Sequence, residues 1–90
     1  GLWNNNSLSV TGSTIANNSA TNGGGLFNTG TIANSITSTT FTGNSASTNG
    51  GGIYNSGTLT VSSSTIGGDS LSGNTATNGG GIWNNSSLSI

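Results

Sequence analysis

Asn49-Gly50-Gly51-Gly52-Ile53-Tyr54-Asn55 is the stretch on which the reading of the chain turns, because the chain repeats it. Asn22-Gly23-Gly24-Gly25-Leu26-Phe27-Asn28 precedes it and Asn78-Gly79-Gly80-Gly81-Ile82-Trp83-Asn84 follows it. The chain opens on a shortened copy, Gly1-Leu2-Trp3-Asn4, and the steps from one last glycine to the next are 24, 27 and 29 residues. A drifting period in the twenties is the mark of a solenoid, in which each repeat forms one turn of a coil.

Working outward from the glycines, the spacing predicts coils over residues 1–24, 25–51 and 52–80, with a partial coil over 81–90. Aligned copies give an aliphatic row (Leu2, Leu26, Ile53, Ile82), an aromatic row (Trp3, Phe27, Tyr54, Trp83) and an asparagine row (Asn4, Asn28, Asn55, Asn84). Alternating pairs follow: Leu8 with Val10, Leu59 with Val61, Leu88 with Ile90. In coil two, Ile32 and Ile36 are expected to fill that role around a bulge at Ala33 and Asn34. Period-two alternation belongs to a strand with one buried face. A third segment supplies an apolar row (Ile15, Phe41, Leu71), a second asparagine row (Asn18, Asn44, Asn74) and an alanine row (Ala20, Ala46, Ala76). Coil three carries an extra Gly67-Gly68-Asp69-Ser70, read as a loop pushed out of the coil. The expectation is an all-β parallel β-helix, or β-solenoid, of about three and a half coils of 24–29 residues, with three short strands per coil. The asparagine rows are expected to stack as amide ladders, since a single coil cannot hold itself together without its neighbours.

Composition excludes several partners. The chain has 17 glycines, no Lys, Arg, His, Cys, Met or Pro, and Asp69 as its sole acid, so charged residues amount to 1%. Without cations it cannot neutralise phosphates, which argues against nucleic acid and against anionic membrane surfaces. No apolar run is long enough to span a bilayer. Near-zero charge and the lack of sites for trypsin-like proteases suit durable secreted material at a cell surface.

The Gly-Gly-x-aliphatic starts at Gly23–Leu26, Gly50–Ile53 and Gly79–Ile82, together with Phe41-Thr42-Gly43-Asn44, resemble the repeats of the chlamydial polymorphic membrane proteins and related autotransporter passengers. At Ile15–Asn18 and Leu71–Asn74 an aliphatic residue replaces the Phe. The resemblance covers essentially the whole chain. It implies a right-handed β-helix that is secreted, surface-exposed and often adhesive.

Candidate sites for chemistry are few. The glycine runs lack the Lys and the following helix that a phosphate loop needs. Asp69 in Gly-Gly-Asp-Ser-Leu is similar to a calcium repeat, but such sites stack carboxylates turn after turn, so no metal is expected. One acid and no base assemble neither a glycosidase pair nor an activated nucleophile, so the chain is expected to be no enzyme and to use no cofactor. Leu26 and Phe27 are neighbours, so with the aliphatic row inward the aromatic row Trp3, Phe27, Tyr54 and Trp83 faces outward. That stripe either contacts sugars or another filament, or stacks on itself. Ser7, Ser9, Thr58, Thr60, Ser87 and Ser89 form outward hydroxyl rows, which Ala33 is expected to interrupt.

Three functions follow as expectations. The first is a non-catalytic extracellular structural rod or fibre at a bacterial surface or in its matrix. It would associate end to end, or with neighbouring coils of a longer chain. The second is an adhesin or carbohydrate-binding passenger that meets glycans or cell surfaces through the aromatic stripe. Ice binding through the hydroxyl rows ranks third.

Overall fold

The computed structural model describes residues 1–67 and 73–90, and these form a parallel β-solenoid. Coil one contributes β1 (Leu2–Asn4), β2 (Ser9–Thr11), β3 (Thr14–Ala16) and β4 (Ser19–Asn22). Coil two repeats them as β5 (Leu26–Asn28), β6 (Asn34–Thr37), β7 (Thr40–Thr42) and β8 (Ser45–Asn49). Coil three supplies β9 (Ile53–Asn55), β10 (Thr58–Ser62) and β11 (Thr65–Ile66), and the last turn adds β12 (Ile82–Asn84) and β13 (Ser87–Ser89). Corresponding strands pair in parallel to give four faces: β1-β5-β9-β12, β2-β6-β10-β13, β3-β7-β11 and β4-β8. The fourth face continues into coil three through bridges from Ser45 to Thr75 and from Asn49 to Asn78.

The third sequence segment therefore carries two strands rather than one, and the backbone shows why. Asn17 at φ 58° and Gly43 at φ 65° sit between β3 and β4 and between β7 and β8. A left-handed residue breaks extended pairing and turns the chain, and Gly and Asn are the residues that tolerate it best. The corner before the third face is built likewise on Gly12, Ser38 and Ser63, and the corner before the first face on Gly23, Gly50 and Gly79.

Inside, Ile15, Leu26, Ile36, Phe41, Ile53, Leu59 and Val61 form one buried cluster, flanked by Leu8, Val10, Ile66, Ile82 and Leu88. Two expected row members are displaced. Ile36 does stack between Val10 and Val61, but the position opposite Leu59 is taken by Asn34, not by Ile32. The two additional residues of coil two lie in the corner before β6, which leaves Ile32 56% exposed outside any strand. In coil three the partner of Phe41 is Ile66, one residue after Thr65 meets Thr40. Hydropathy favoured Leu71 for that row, but strand register assigns it to Ile66, and Leu71 lies outside the described residues. No helix among the described residues is long and apolar enough to cross a membrane.

Candidate functional site

The three glycines of each repeat hold three different positions in the corner that opens the first face. The first adopts the left-handed backbone already noted. The second meets backbone across the coil: a Cβ at Gly24 would lie 2.6 Å from Gly51 O and 2.7 Å from Ser45 N, and one at Gly51 would meet Gly80 O and lie 2.6 Å from Thr75 N. The third faces the core, where a Cβ at Gly25 would lie 2.7 Å from Phe41 Cδ2 and 3.1 Å from Asn44 Nδ2. Gly52 repeats that contact with Ile66 Cγ2 at 3.1 Å and Asn74 Nδ2 at 3.2 Å. Thus the x position of the Gly-Gly-x-aliphatic stretch, which is glycine at residues 25 and 52, leaves the space that Phe41 with Asn44, and Ile66 with Asn74, fill.

Asparagines hold the remaining corner. Asn4 Nδ2 donates to Asn28 Oδ1 at 2.8 Å, Asn28 Nδ2 to Asn55 Oδ1 at 2.8 Å, and Asn55 Nδ2 to Asn84 Oδ1 at 2.7 Å. Each amide also serves its own loop: Asn55 Oδ1 accepts from Gly57 N at 3.3 Å, and Asn84 Nδ2 donates to Ser86 O at 3.0 Å. The second row runs from Asn18 Nδ2 to Asn44 Oδ1 at 3.1 Å and from Asn44 Nδ2 to Asn74 Oδ1 at 3.0 Å. Asn44 Nδ2 donates in addition to Ile15 O at 2.8 Å, and Asn74 Nδ2 to Phe41 O at 2.9 Å, so each amide clamps two coils.

Sequence reading missed three polar devices. Asn34 is buried and accepts from Asn4 Nδ2 at 3.0 Å and from Leu8 N at 2.7 Å, while it donates to Ile32 O at 2.6 Å and to Gly30 O and Thr58 O at 3.0 Å. Asn22, Asn49 and Asn78 form a third row, with Asn49 N donating to Asn22 Oδ1 at 3.2 Å and Asn78 Nδ2 to Asn49 Oδ1 at 2.9 Å. Ser13 N donates to Thr39 Oγ1 at 3.3 Å, and Thr39 N to Ser64 Oγ at 3.0 Å, which makes a hydroxyl row beside the Gly12, Ser38 and Ser63 corner. The recurring Asn before each glycine run was a visible signal for the second of these. Nothing in hydropathy marked the other two. Among the described residues no buried side-chain nitrogen or oxygen lacks a hydrogen-bond partner.

The aromatic row is in register on the outer side of the first face, Trp3 beside Phe27, Phe27 beside Tyr54 and Tyr54 beside Trp83. Ring centroids are 4.6 Å apart for Phe27–Tyr54 and Tyr54–Trp83, with interplanar angles of 5° and 12°. Trp3 stands 6.4 Å from Phe27 at 11° and is 68% exposed. The interior rings cover one another's faces, so Phe27 and Tyr54 present their edges to solvent, where the quadrupole is positive.

On the second face, Ser9, Ser35, Thr60 and Ser89 are in register, as are Thr11, Thr37 and Ser62. Leu59 pairs with Asn34, so Ala33, the residue before Asn34, stands level with Thr58 and interrupts the row of Ser7, Thr58 and Ser87, whereas Ser35 keeps the row of Ser9, Thr60 and Ser89 continuous. Thr37 and Ser62 hydroxyls lie 3.4 Å apart. No group of three His, Cys, Asp or Glu exists among the described residues, and Asp69 lies outside them.

Residues 38–56 match the model of the Chlamydia polymorphic membrane protein repeat. The matched span holds Phe41 and Asn44, which pack against Gly25, and Gly50–Ile53, whose Gly52 faces Ile66 and Asn74. The chain is thus similar to a repeat of bacterial surface proteins of the autotransporter type, and it is itself a β-solenoid repeat protein with buried asparagine hydrogen bonding. No curated protein and no solved structure matches it.

Proposed function

We propose that the chain is a segment of a non-catalytic extracellular β-solenoid, a rod or fibre that extends from a bacterial surface or lies in its matrix. The observation that carries this reading is the internal pairing of every buried polar side chain among the described residues. The amides that a ligand site would leave free are here spent on joining coil to coil. The near absence of ionisable side chains supports the same conclusion, since acid–base and nucleophilic catalysis both need them. End-to-end association or continuation into further coils suits the parallel strands, whose outer edges are templates for another strand. Cryo-electron imaging of native material tests the proposal. Rods with a layer line near ~4.8 Å support it, whereas short discrete particles in the native material overturn the fibre.

An adhesin is the second reading, and the exposed aromatic stack favours it. The positive ring edges of the stacked Phe27, Tyr54 and Trp83 offer contacts to the hydroxyl oxygens of neutral sugars. Glycan or cell binding that disappears on Tyr54→Ala and Trp83→Ala, with the rod intact, supports this reading. Ice binding rests on the row of Ser9, Ser35, Thr60 and Ser89, and absence of thermal hysteresis removes it.

A further inference from the structure

Phe27, Tyr54 and Trp83 stand on the outer side of the first face as three nearly parallel plates, 4.6 Å apart at each step and inclined by only 5° and 12°. Neighbours cover the ring faces between them, and each of the three residues is half-buried. What solvent meets along the side of the stack is therefore a row of ring edges.

The border of this row towards the fourth face is bare. Gly23, Gly50 and Gly79 lie there against the backbone of the aromatic residues. A Cβ would come within 2.8 Å of Phe27 Cα at Gly23, 2.8 Å of Tyr54 N at Gly50 and 3.0 Å of Trp83 N at Gly79. All three glycines have positive φ, a conformation in which a side chain is strained as well as crowded. A shelf without side chains thus runs beside the edges through successive coils. Neither the stack nor the shelf holds Lys, Arg, His, Asp or Glu.

This surface selects its ligand by polarity and by length. Ring edges are positive in the aromatic quadrupole and ring faces negative, so a row of edges is best complemented by a ring face laid across it, in the edge-to-face arrangement. A ligand that touches all three plates must be flat and must extend over two steps of 4.6 Å. It must also be neutral, since a charge would lose hydration there without gaining a partner. We propose that the stack and its glycine shelf bind elongated, planar, neutral aromatic molecules of two or more conjugated rings. Such a ligand lies along the solenoid axis with its face over the edges of Phe27, Tyr54 and Trp83. Sugars have no π face to offer and meet the same edges only through single hydroxyls, so the site is distinct in chemistry from a glycan site on the same stripe.

The test compares trans- and cis-4,4′-dihydroxystilbene, which share composition and differ in shape. The trans isomer is flat and extended, and the cis isomer is twisted and compact. Equilibrium dialysis against the chain, in the dark to prevent isomerisation, gives both affinities, and NMR shifts of the ring protons locate the contact. The trans isomer should bind about tenfold more tightly, with the largest shifts at Phe27, Tyr54 and Trp83. Tyr54→Ile fills the middle of the stack without a ring edge and should weaken trans binding by about tenfold, whereas Tyr54→Phe keeps the edge and should hold it within about twofold. Far-ultraviolet circular dichroism checks that both variants are folded. Equal affinity for the two isomers, no binding of the trans isomer, shifts centred away from these rings, or unchanged binding to folded Tyr54→Ile would each overturn the proposal.

Discussion

Asn28 Nδ2 donates to Asn55 Oδ1 at 2.8 Å across the boundary between coils two and three, with both residues fully buried. Asn28 Oδ1 meanwhile accepts from Asn4, so one carboxamide ties three coils. An Asn28→Ala change leaves the Asn4 amide and the Asn55 oxygen without that partner inside the core. It should lower the stability of the chain by about 2–3 kcal/mol, the range for stranded buried polar groups. Asn84→Ala, at an exposed position of the same row, should lower it by less than about 1 kcal/mol. Urea unfolding followed by tryptophan fluorescence measures both, and equal losses would contradict the ladder as the source of stability.

Asn34 stands where the neighbouring coil has Leu59, so Asn34→Leu regularises the repeat. It should nevertheless destabilise the chain, by about 2 kcal/mol, because Leu8 N and the carbonyls of Gly30, Ile32 and Thr58 lose a buried partner. A rise in the urea midpoint would mean that apolar burial outweighs those bonds.

Glycines at two corners separate crowding from backbone conformation. A Cβ at Gly25 meets Phe41 and, at 2.6 Å, the Gly52 carbonyl, which cannot retreat without breaking the coil. Gly25→Ala should cost about 3 kcal/mol or more. Gly12 has φ +58° and open space around it, so Gly12→Ala should cost only about 1 kcal/mol. Ser63, at φ 50°, poses the opposite case, and Ser63→Gly should stabilise by up to about 1 kcal/mol. Thermal unfolding midpoints rank the three, and the predicted order is Gly25→Ala lowest and Ser63→Gly highest.

Tyr54 has a ring stacked on each side, so Tyr54→Ala removes two aromatic contacts at about 0.5–1.5 kcal/mol each, in addition to the buried area. The near-ultraviolet circular dichroism of the stacked rings should fall with it, while the far-ultraviolet β signal persists. Loss of the β signal as well would give the stack a larger part in holding the coils than its geometry implies.

The sequence revealed those features that repeat by residue identity. Glycine, asparagine and aromatic rows align without reference to hydropathy, and each is in register in the structure. Where hydropathy was the guide, two members were misplaced. Ile32 and Leu71 were the more obvious apolar residues, but strand pairing selects by distance from the corner and puts Asn34 and Ile66 in those rows. The hydroxyl row Ser13, Thr39 and Ser64 passed unnoticed because its members differ in type and share only a place after a left-handed residue. A strand was missed for a related reason: Asn17 and Gly43 divide a segment whose side chains alone give no sign of a corner.

The direction of the amide rows gives the solenoid an arrow. In the rows through Asn28 and Asn44, every amide-to-amide hydrogen bond runs from an N–H of the lower-numbered coil to an oxygen of the higher. Carboxamides aligned head to tail reinforce one another's polarisation, so these two rows sum to a vector along the axis instead of cancelling. Two such molecules laid side by side are electrically distinguishable when they run the same way and when they run opposed. A bundle of them would carry its sense of orientation in neutral groups, with almost no ionic charge.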